Sequence, residues 1–226
     1  MSPFWNDSSA DLEMMMARRR ASMVEEQLRL RGIHGERLRL AMGKVPREKF
    51  VAPEHRFEAY ADGPLPIGCG QTISQPLMVA TMIEALSVQP SDRVLEVGTG
   101  TGYEAAILAE LAAEVWTVER HADLANKARV VLQELGYQNV HVVEGDGSLG
   151  LPQLAPFDKI LVAAGAPLPP PSLVEQLAEG GAMAVPVSNR VEQELQVIRR
   201  TGGALVTSRH VLCCFVPLLG AEGWEP

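Results

Sequence analysis

One stretch constrains this chain more than any other. Arg93-Val-Leu-Glu-Val97 reads as a strand, runs into Gly98-Thr-Gly100-Thr-Gly102, and continues into the helix-forming segment Tyr103–Ala112. Glycines allow a tight turn and a close approach of backbone to a ligand. The helix start adds free N–H groups. The alternation continues downstream. Glu114–Val118 is a strand ending at Glu119, and Ala122–Leu135 is an amphipathic helix with Leu124, Ala128, Val131, Leu132 and Leu135 on its apolar face, stopped by Gly136. Val140–Glu144 is a strand, Phe157–Ala163 a strongly apolar strand, Pro171–Leu177 a short helix and Ala182–Val187 a strand. Glu194–Arg200 and Ala204–Leu212, joined through Gly202-Gly203, read as an antiparallel pair.

This order predicts an α/β fold: a Rossmann-like, doubly wound, mostly parallel sheet with helices on both faces and an antiparallel C-terminal strand pair. Ligands of such sheets sit beyond the carboxyl ends of the strands. That rule picks out the turns after Val97, Val118, Glu144 and Ala163. The first part of the chain is less regular. Met1–Asp11 reads as a frayed tail, Met14–Arg31 and Glu36–Lys44 as helices, and Pro46, Pro53, Pro64 and Pro66 then break the chain. Ala61–Ser74 is expected to be a loop, too rich in Gly and Pro for regular structure and long enough to be functional. Pro76–Leu86 is a buried helix with Pro in its first turn.

Composition narrows the function classes. The 226 residues suit one domain, and a net charge of −8 argues against a nucleic-acid partner. Cys69, Cys213 and Cys214 are odd in number with two adjacent, which is not a disulfide framework but suits reduced thiols in the cytoplasm. No Cys or His lies at metal-ligand spacing, so no metal is expected. No signal-like start and no apolar run of about 18 residues is present, so no membrane is expected either.

The glycine turn departs from the dinucleotide pattern. Its third glycine, Gly102, comes one residue early, and Glu96 precedes the first glycine by two. A carboxylate there repels a pyrophosphate and suits a positively charged cofactor. S-adenosyl-L-methionine, with its ammonium and sulfonium, has that sign. Glu119 can accept both ribose hydroxyls, or be a solvated strand end beside Arg120. Asp146, between Gly145 and Gly147, can accept from an adenine amino group, or be an ordinary turn residue.

Val94-Leu-Glu-Val-Gly-Thr-Gly-Thr-Gly-Tyr103 resembles motif I of class I methyltransferases. Gly70-Gln-Thr-Ile-Ser-Gln-Pro76 is similar to the signature loop of the protein-L-isoaspartate (D-aspartate) O-methyltransferase family. Further stretches match that family: Val45–Val51, Pro64–Ile67, Val118–Arg120, Gly145–Gly147, Ala155–Asp158 and Phe215–Leu218. The resemblance covers roughly residues 20 to 220. It implies a tail over 1–13 and one methyltransferase domain over 14–226, with 14–75 a helical cap and substrate loop and 76–226 the cofactor-binding core.

The same resemblance places Ser74 at the active-site serine. It assigns Gln71, Thr72 and Ile73, with Ser74, to the cofactor's lining. Glu96, Gly98 and Thr99 take the methionine part, Glu119 the ribose, and Asp146 and Gly147 the adenine, with Gly100 and Arg120 also in the cofactor set. Leu219 completes the cofactor set, and Phe215–Leu219 forms a wall of the peptide site. Cys69 stands where an aromatic residue is frequent, Gly165 where Ala is usual, and Ser188-Asn189 where Gly is usual.

The implied substrates are isoaspartyl-containing proteins and peptides, handled by a monomer. An isoaspartyl residue carries a free α-carboxylate, with a pKa near ~4 and hence ionised at neutral pH. Its methylation needs no general base and leaves S-adenosyl-L-homocysteine. The ester then closes to a succinimide, whose hydrolysis regenerates some aspartate. Ser74 is expected to orient the carboxylate, or alternatively to cap the helix that starts near Pro76. Rival readings are an NAD oxidoreductase, a nucleic-acid or small-molecule methyltransferase, and a related carboxyl methyltransferase dedicated to one peptide or small-molecule acid.

Overall fold

A computed structural model describes residues 9–188 and 192–225. Seven strands form the main sheet: β3 (Arg93–Val97), β4 (Glu114–Glu119), β5 (Val140–Glu144), β6 (Phe157–Val162), β7 (Leu177–Ser188), β8 (Gln193–Thr201) and β9 (Ala204–Cys213). Their spatial order is β5-β4-β3-β6-β7-β8-β9. The first five are parallel, and β8 and β9 return antiparallel. This is the expected α/β class. The chain order reverses between β3 and β6, which opens the crevice at their carboxyl ends.

Alternating residues along the strands feed two cores. Val94, Leu161, Ala182 and Ala184 face one side, packed with α3 (Pro76–Leu86), α4 (Tyr103–Ala109) and α5 (Ala122–Glu134). Leu95, Val97, Ile160, Val162 and Met183 face the other, closed by Leu173 of the short α6 (Pro171–Glu175) and by Leu151 and Leu218. The amphipathic stripe of α5 is buried at Leu124, Ala128 and Leu132.

The N-terminal region differs from expectation in three ways. Helix α1 spans Ser9–Ser22, so residues 9–13 are helical rather than tail; residues 1–8 lie outside the described residues. The helical path continues as a π-turn, Met23–Leu28, and a 3-10 turn, Arg29–Arg31, so the expected helix to Arg31 is three pieces. Its inner face buries Met16, Met23 and Leu28. Helix α2 is Glu36–Lys44 as read. The segment 61–74 is not irregular: Leu65–Gly68 (β1) and Gln71–Ile73 (β2) pair as an antiparallel hairpin. Gly68, Cys69 and Gly70 at its tip all have positive φ, which the two glycines tolerate without strain. Helix α4 also ends early, at Ala109.

Candidate active site

The turn after β3 is held from several sides. Gly98 N–H donates to the Val118 carbonyl at 2.8 Å, and Gly98, Gly100 and Gly102 have φ of 98°, 53° and 87°. A Cβ on Gly102 would lie 3.1 Å from Leu132, so the third glycine lets α4 and α5 close together. Glu119 clamps the turn, accepting from Gly100 N–H and His121 N–H, each at 2.9 Å. Behind it runs a buried chain in which Thr99 and Thr117 share a 2.6 Å hydroxyl contact and Thr117 donates to Glu96.

One cavity at this crevice gathers most of the expected residues. Gln71, Thr72, Ile73 and Ser74 enter from the hairpin. Gly98, Thr99 and Gly100 come from the turn, Glu119 and Arg120 from the end of β4, Gly147 from the turn after β5, and Leu219 from the C-terminal segment. Glu96 lies behind the lining, fully buried. A Cβ on Gly147 would come within 2.5 Å of Val97, so only glycine lets this backbone sit against the strand.

The structure does not bring Asp146 into this cavity. Its Oδ1 accepts from the Ser148 N–H and hydroxyl at 2.9 and 2.7 Å, and its Oδ2 accepts from Ala221 N–H at 2.7 Å. Burial alone would raise its pKa, but these donors outweigh burial and hold the carboxyl below its ordinary value. Asp146 therefore ties the C-terminal segment to the turn after β5. A Cβ on Gly220 would collide with its carboxylate, which explains a glycine there.

Ser74 sits where two spaces meet. With Thr72, Ala163 and Val216 it lines the cavity on one side and a groove on the other, the groove continuing past Met78, Cys213, Cys214 and Phe215. The N-cap of α3 is Gln75, and no side chain caps that helix, so Ser74 is not a cap. The Ser74 carbonyl instead accepts a 2.8 Å hydrogen bond from Arg47 Nη2.

Sequence reasoning left two residues without a role. Arg47, from the Val45–Val51 stretch, is fully buried, donates from Nε to the Ala59 carbonyl at 2.7 Å, and stacks 4.7 Å from the centroid of the Tyr103 ring. Glu104, in the first turn of α4, is a carboxylate on an otherwise apolar, buried helix that lines the cavity. A charge in that company was the available signal. Burial pushes the Glu104 carboxyl up to about 8, and burial together with the nearby Glu104 raises Glu96 well above its ordinary value. Each keeps one buried oxygen, Oε1, without a protein partner. Glu104, at the cavity wall, suits the positively charged end of S-adenosyl-L-methionine, while Glu119 and the Gly147 cradle suit its nucleoside.

The departure at Gly165 has a physical partner. A Cβ there would lie 2.8 Å from Gln193 Nε2. The Gln193 amide pins both backbone groups of Phe215, donating to its carbonyl at 2.9 Å and accepting from its N–H at 2.6 Å. Glycine at 165 thus makes room for the side chain that fixes the groove's Phe215 wall. The second departure, Ser188-Asn189, falls partly on residue 189, outside the described residues.

The chain is similar to known proteins over most of its length. Residues 18–223 match the family model described as protein-L-isoaspartate(D-aspartate) O-methyltransferase (PCMT). The chain is 55% identical over 207 residues to the protein-L-isoaspartate O-methyltransferase of Koribacter versatilis, covering 92% of this chain and 93% of that one. It is 50% identical over 206 residues to the enzyme of that name from Methanoregula boonei, covering 91% and 95%. A Plasmodium falciparum structure described as a protein-L-isoaspartate O-methyltransferase in complex with S-adenosyl-L-homocysteine matches with a TM-score of 0.79 at 28% identity, covering 88% of this chain and 98% of that one.

Proposed function

The chain belongs to the protein-L-isoaspartate(D-aspartate) O-methyltransferase family, and we propose that Ser74 is the point at which its two substrates meet. It carries out the S-adenosyl-L-methionine-dependent methyl esterification of the free carboxylate of isoaspartyl residues in damaged proteins and peptides, the step that starts repair through a succinimide. The observation that carries the role of Ser74 is its position: it is one of the few residues common to the cavity and the neighbouring groove. The cavity suits the cofactor and the groove a peptide.

S-adenosyl-L-methionine, when bound, supplies a methyl group on a sulfonium. The protein's own work is placement. The acceptor carboxylate arrives ionised, so no base is required. Ser74 donates its hydroxyl proton to one carboxylate oxygen and thereby aims the other. Arg47 fixes the backbone from which Ser74 acts. Val216 and Ala163 supply an apolar wall that keeps water from the carboxylate. Orientation of this kind can contribute roughly 7–11 kcal/mol. Gly98, Thr99, Gly100, Glu119, Arg120, Gly147 and Leu219 belong to the cofactor side. Asp146 acts there indirectly, by fixing the segment that carries Leu219. Residues 14–75 form the cap and substrate hairpin over the core of 76–226. Labelled-methyl transfer by the Ser74→Ala variant tests the assignment.

No helix among the described residues is long and apolar enough to cross a membrane. Cys69, Cys213 and Cys214 are free thiols, which supports a reducing, cytoplasmic setting. We read the working unit as a monomer, because the cavity and groove are built from one chain; sedimentation at micromolar concentration tests this.

A further inference from the structure

Thr72, Ser74, Ala163 and Val216 line both the cavity and the groove. The first two come from the hairpin segment. Ala163 and Val216 come from two other segments, the turn after β6 and the stretch after β9, and neither lies in a strand of the sheet. These two segments are joined at Gly165. Its N–H donates to the Val216 carbonyl at 2.8 Å, and its carbonyl accepts from Leu218 N–H at 2.9 Å. The same carbonyl takes a second donor, the indole Nε1–H of Trp224, also at 2.9 Å. Both acceptor positions of one backbone carbonyl are thus filled.

Trp224 reaches that carbonyl because the chain doubles back after Leu219. Trp224 N–H donates to the Leu218 carbonyl at 2.7 Å, and a Cβ on Gly223 would lie 2.2 Å from that same oxygen, so glycine permits the return. Glu222 anchors the outer side. Its two carboxylate oxygens accept from the N–H and the hydroxyl of Ser172 on α6, at 2.8 and 2.7 Å, while its own N–H donates to Ser148 Oγ at 3.0 Å. The pairing of β8 with β9 stops at Cys213, so the sheet does not hold this stretch in place.

We infer that Trp224 is a positioning residue for methyl transfer. Through the Gly165 carbonyl its indole N–H sets the separation of Ala163 and Val216, the two walls between which the cofactor's methyl and the acceptor carboxylate meet. This rests on the assignment of cavity and groove under the proposed function. Trp224 is in the lining of neither space, so it acts through Gly165 and Leu218 and not by touching a substrate. Without the indole donor, the Gly165 carbonyl keeps Leu218 N–H and the fold survives, but the walls are no longer held from the outer side.

Trp224→Phe on the full chain keeps a ring and removes the donor. Hydrogen exchange without ligand is expected to quicken over 163–166 and 215–221 and to match wild type elsewhere. Calorimetric titration with S-adenosyl-L-homocysteine is expected to show full stoichiometry and an affinity within about threefold of wild type. Single-turnover transfer of labelled methyl to a saturating isoaspartyl peptide is expected to slow roughly tenfold, because a shift of about 1 Å in the reacting groups can cost 100-fold. Glu222→Ala frees the outer anchor and leaves the indole. It is expected to quicken exchange over 215–221 and to slow transfer by a smaller factor. An unchanged single-turnover rate in Trp224→Phe would overturn the proposal. So would exchange that quickens throughout the chain, which would make the indole a general stabiliser. If Trp224→Phe does not bind S-adenosyl-L-homocysteine, Glu222→Ala decides: slowed transfer with intact binding upholds the proposal, and wild-type transfer overturns it. Failure of the wild type itself to bind S-adenosyl-L-homocysteine or to label the peptide would instead contradict the functional reading beneath it.

Discussion

The Arg47 guanidinium donates a 2.8 Å hydrogen bond to the carbonyl oxygen of Ser74. Arg47 lies 27 residues earlier in the chain, in the turn after α2, and the same guanidinium also holds the Ala59 carbonyl. Arg47 thus reaches into the site and fixes the backbone of Ser74, which with Thr72 presents a hydroxyl where cavity and groove meet. A buried arginine is costly unless its donors are used. Here Nε and Nη2 are used to hold the Ala59 and Ser74 carbonyls, while Nη1 is buried without a hydrogen-bond partner.

Arg47→Lys keeps the charge but cannot make the same two-point contact. It is expected to cost about 1–3 kcal/mol of stability, through a carbonyl left unpaired. Turnover is expected to fall by up to about 100-fold from misplacement of Ser74. Affinity for S-adenosyl-L-homocysteine should change little. Denaturant titration, calorimetry and steady-state kinetics separate the three; unchanged turnover would remove the positioning role.

Ser74→Ala removes one hydrogen bond to an ionised group. A loss of about 1.5–3 kcal/mol corresponds to roughly 10- to 150-fold in kcat. Cofactor affinity and thermal stability are expected to stay near wild type, since Ser74 does not cap α3. Unaltered kcat would assign the orienting role elsewhere.

Gly165→Ala is expected to disturb the groove rather than the cavity. The added methyl meets Gln193, which holds Phe215. Overpacking of this kind typically costs about 1–3 kcal/mol. KM for a peptide should rise while cofactor affinity holds. The Gln193→Ala variant removes the colliding side chain, so the double variant should be no worse than Gln193→Ala alone. Strict additivity would contradict the coupling.

The buried acid at Glu104 makes stability depend on pH. Its folded-state pKa is raised from 4.5 to about 8, mainly by burial. Between those values the folded state holds a proton that the unfolded state has lost, so stability falls as pH rises. Asp146 has the opposite sign. Its lowered pKa gives stability that is present above its ordinary value and lost in acid. The Tm of the cofactor-free protein is expected to decline from about pH 5 to 8, and to decline less in Glu104→Gln. Equal declines would place the pH dependence in other groups.

The sheet was legible because its signals are local. The apolar runs of β3 and β6, the stripe of α5 and the glycines after Val97 each report their own structure. The hairpin around Gln71–Ile73 was not legible, because Gly68, Cys69 and Gly70 satisfy the tip while the pairing of Leu65 with Ile73 is a property of two segments together. The site divides the same way. Ser74, Glu119 and Gly147 sit at strand ends and in a named loop, where sequence points directly. The partners of Asp146 and the grip of Arg47 on Ser74 depend on residues 75 and 27 positions away, respectively, and no periodicity reveals them. Glu104 stood out only as a charge on an apolar helix, and its meaning came from the burial of Glu96 beside it.

The most direct test of the central claim is transfer of labelled methyl from S-adenosyl-L-methionine to two peptides that differ only at one residue, isoaspartyl in one and aspartyl in the other. The isoaspartyl peptide is expected to be labelled and the aspartyl peptide to stay at background, because only the first offers a main-chain carboxylate to Ser74. Equal labelling of the two, or labelling of neither while S-adenosyl-L-homocysteine still binds, would contradict the account.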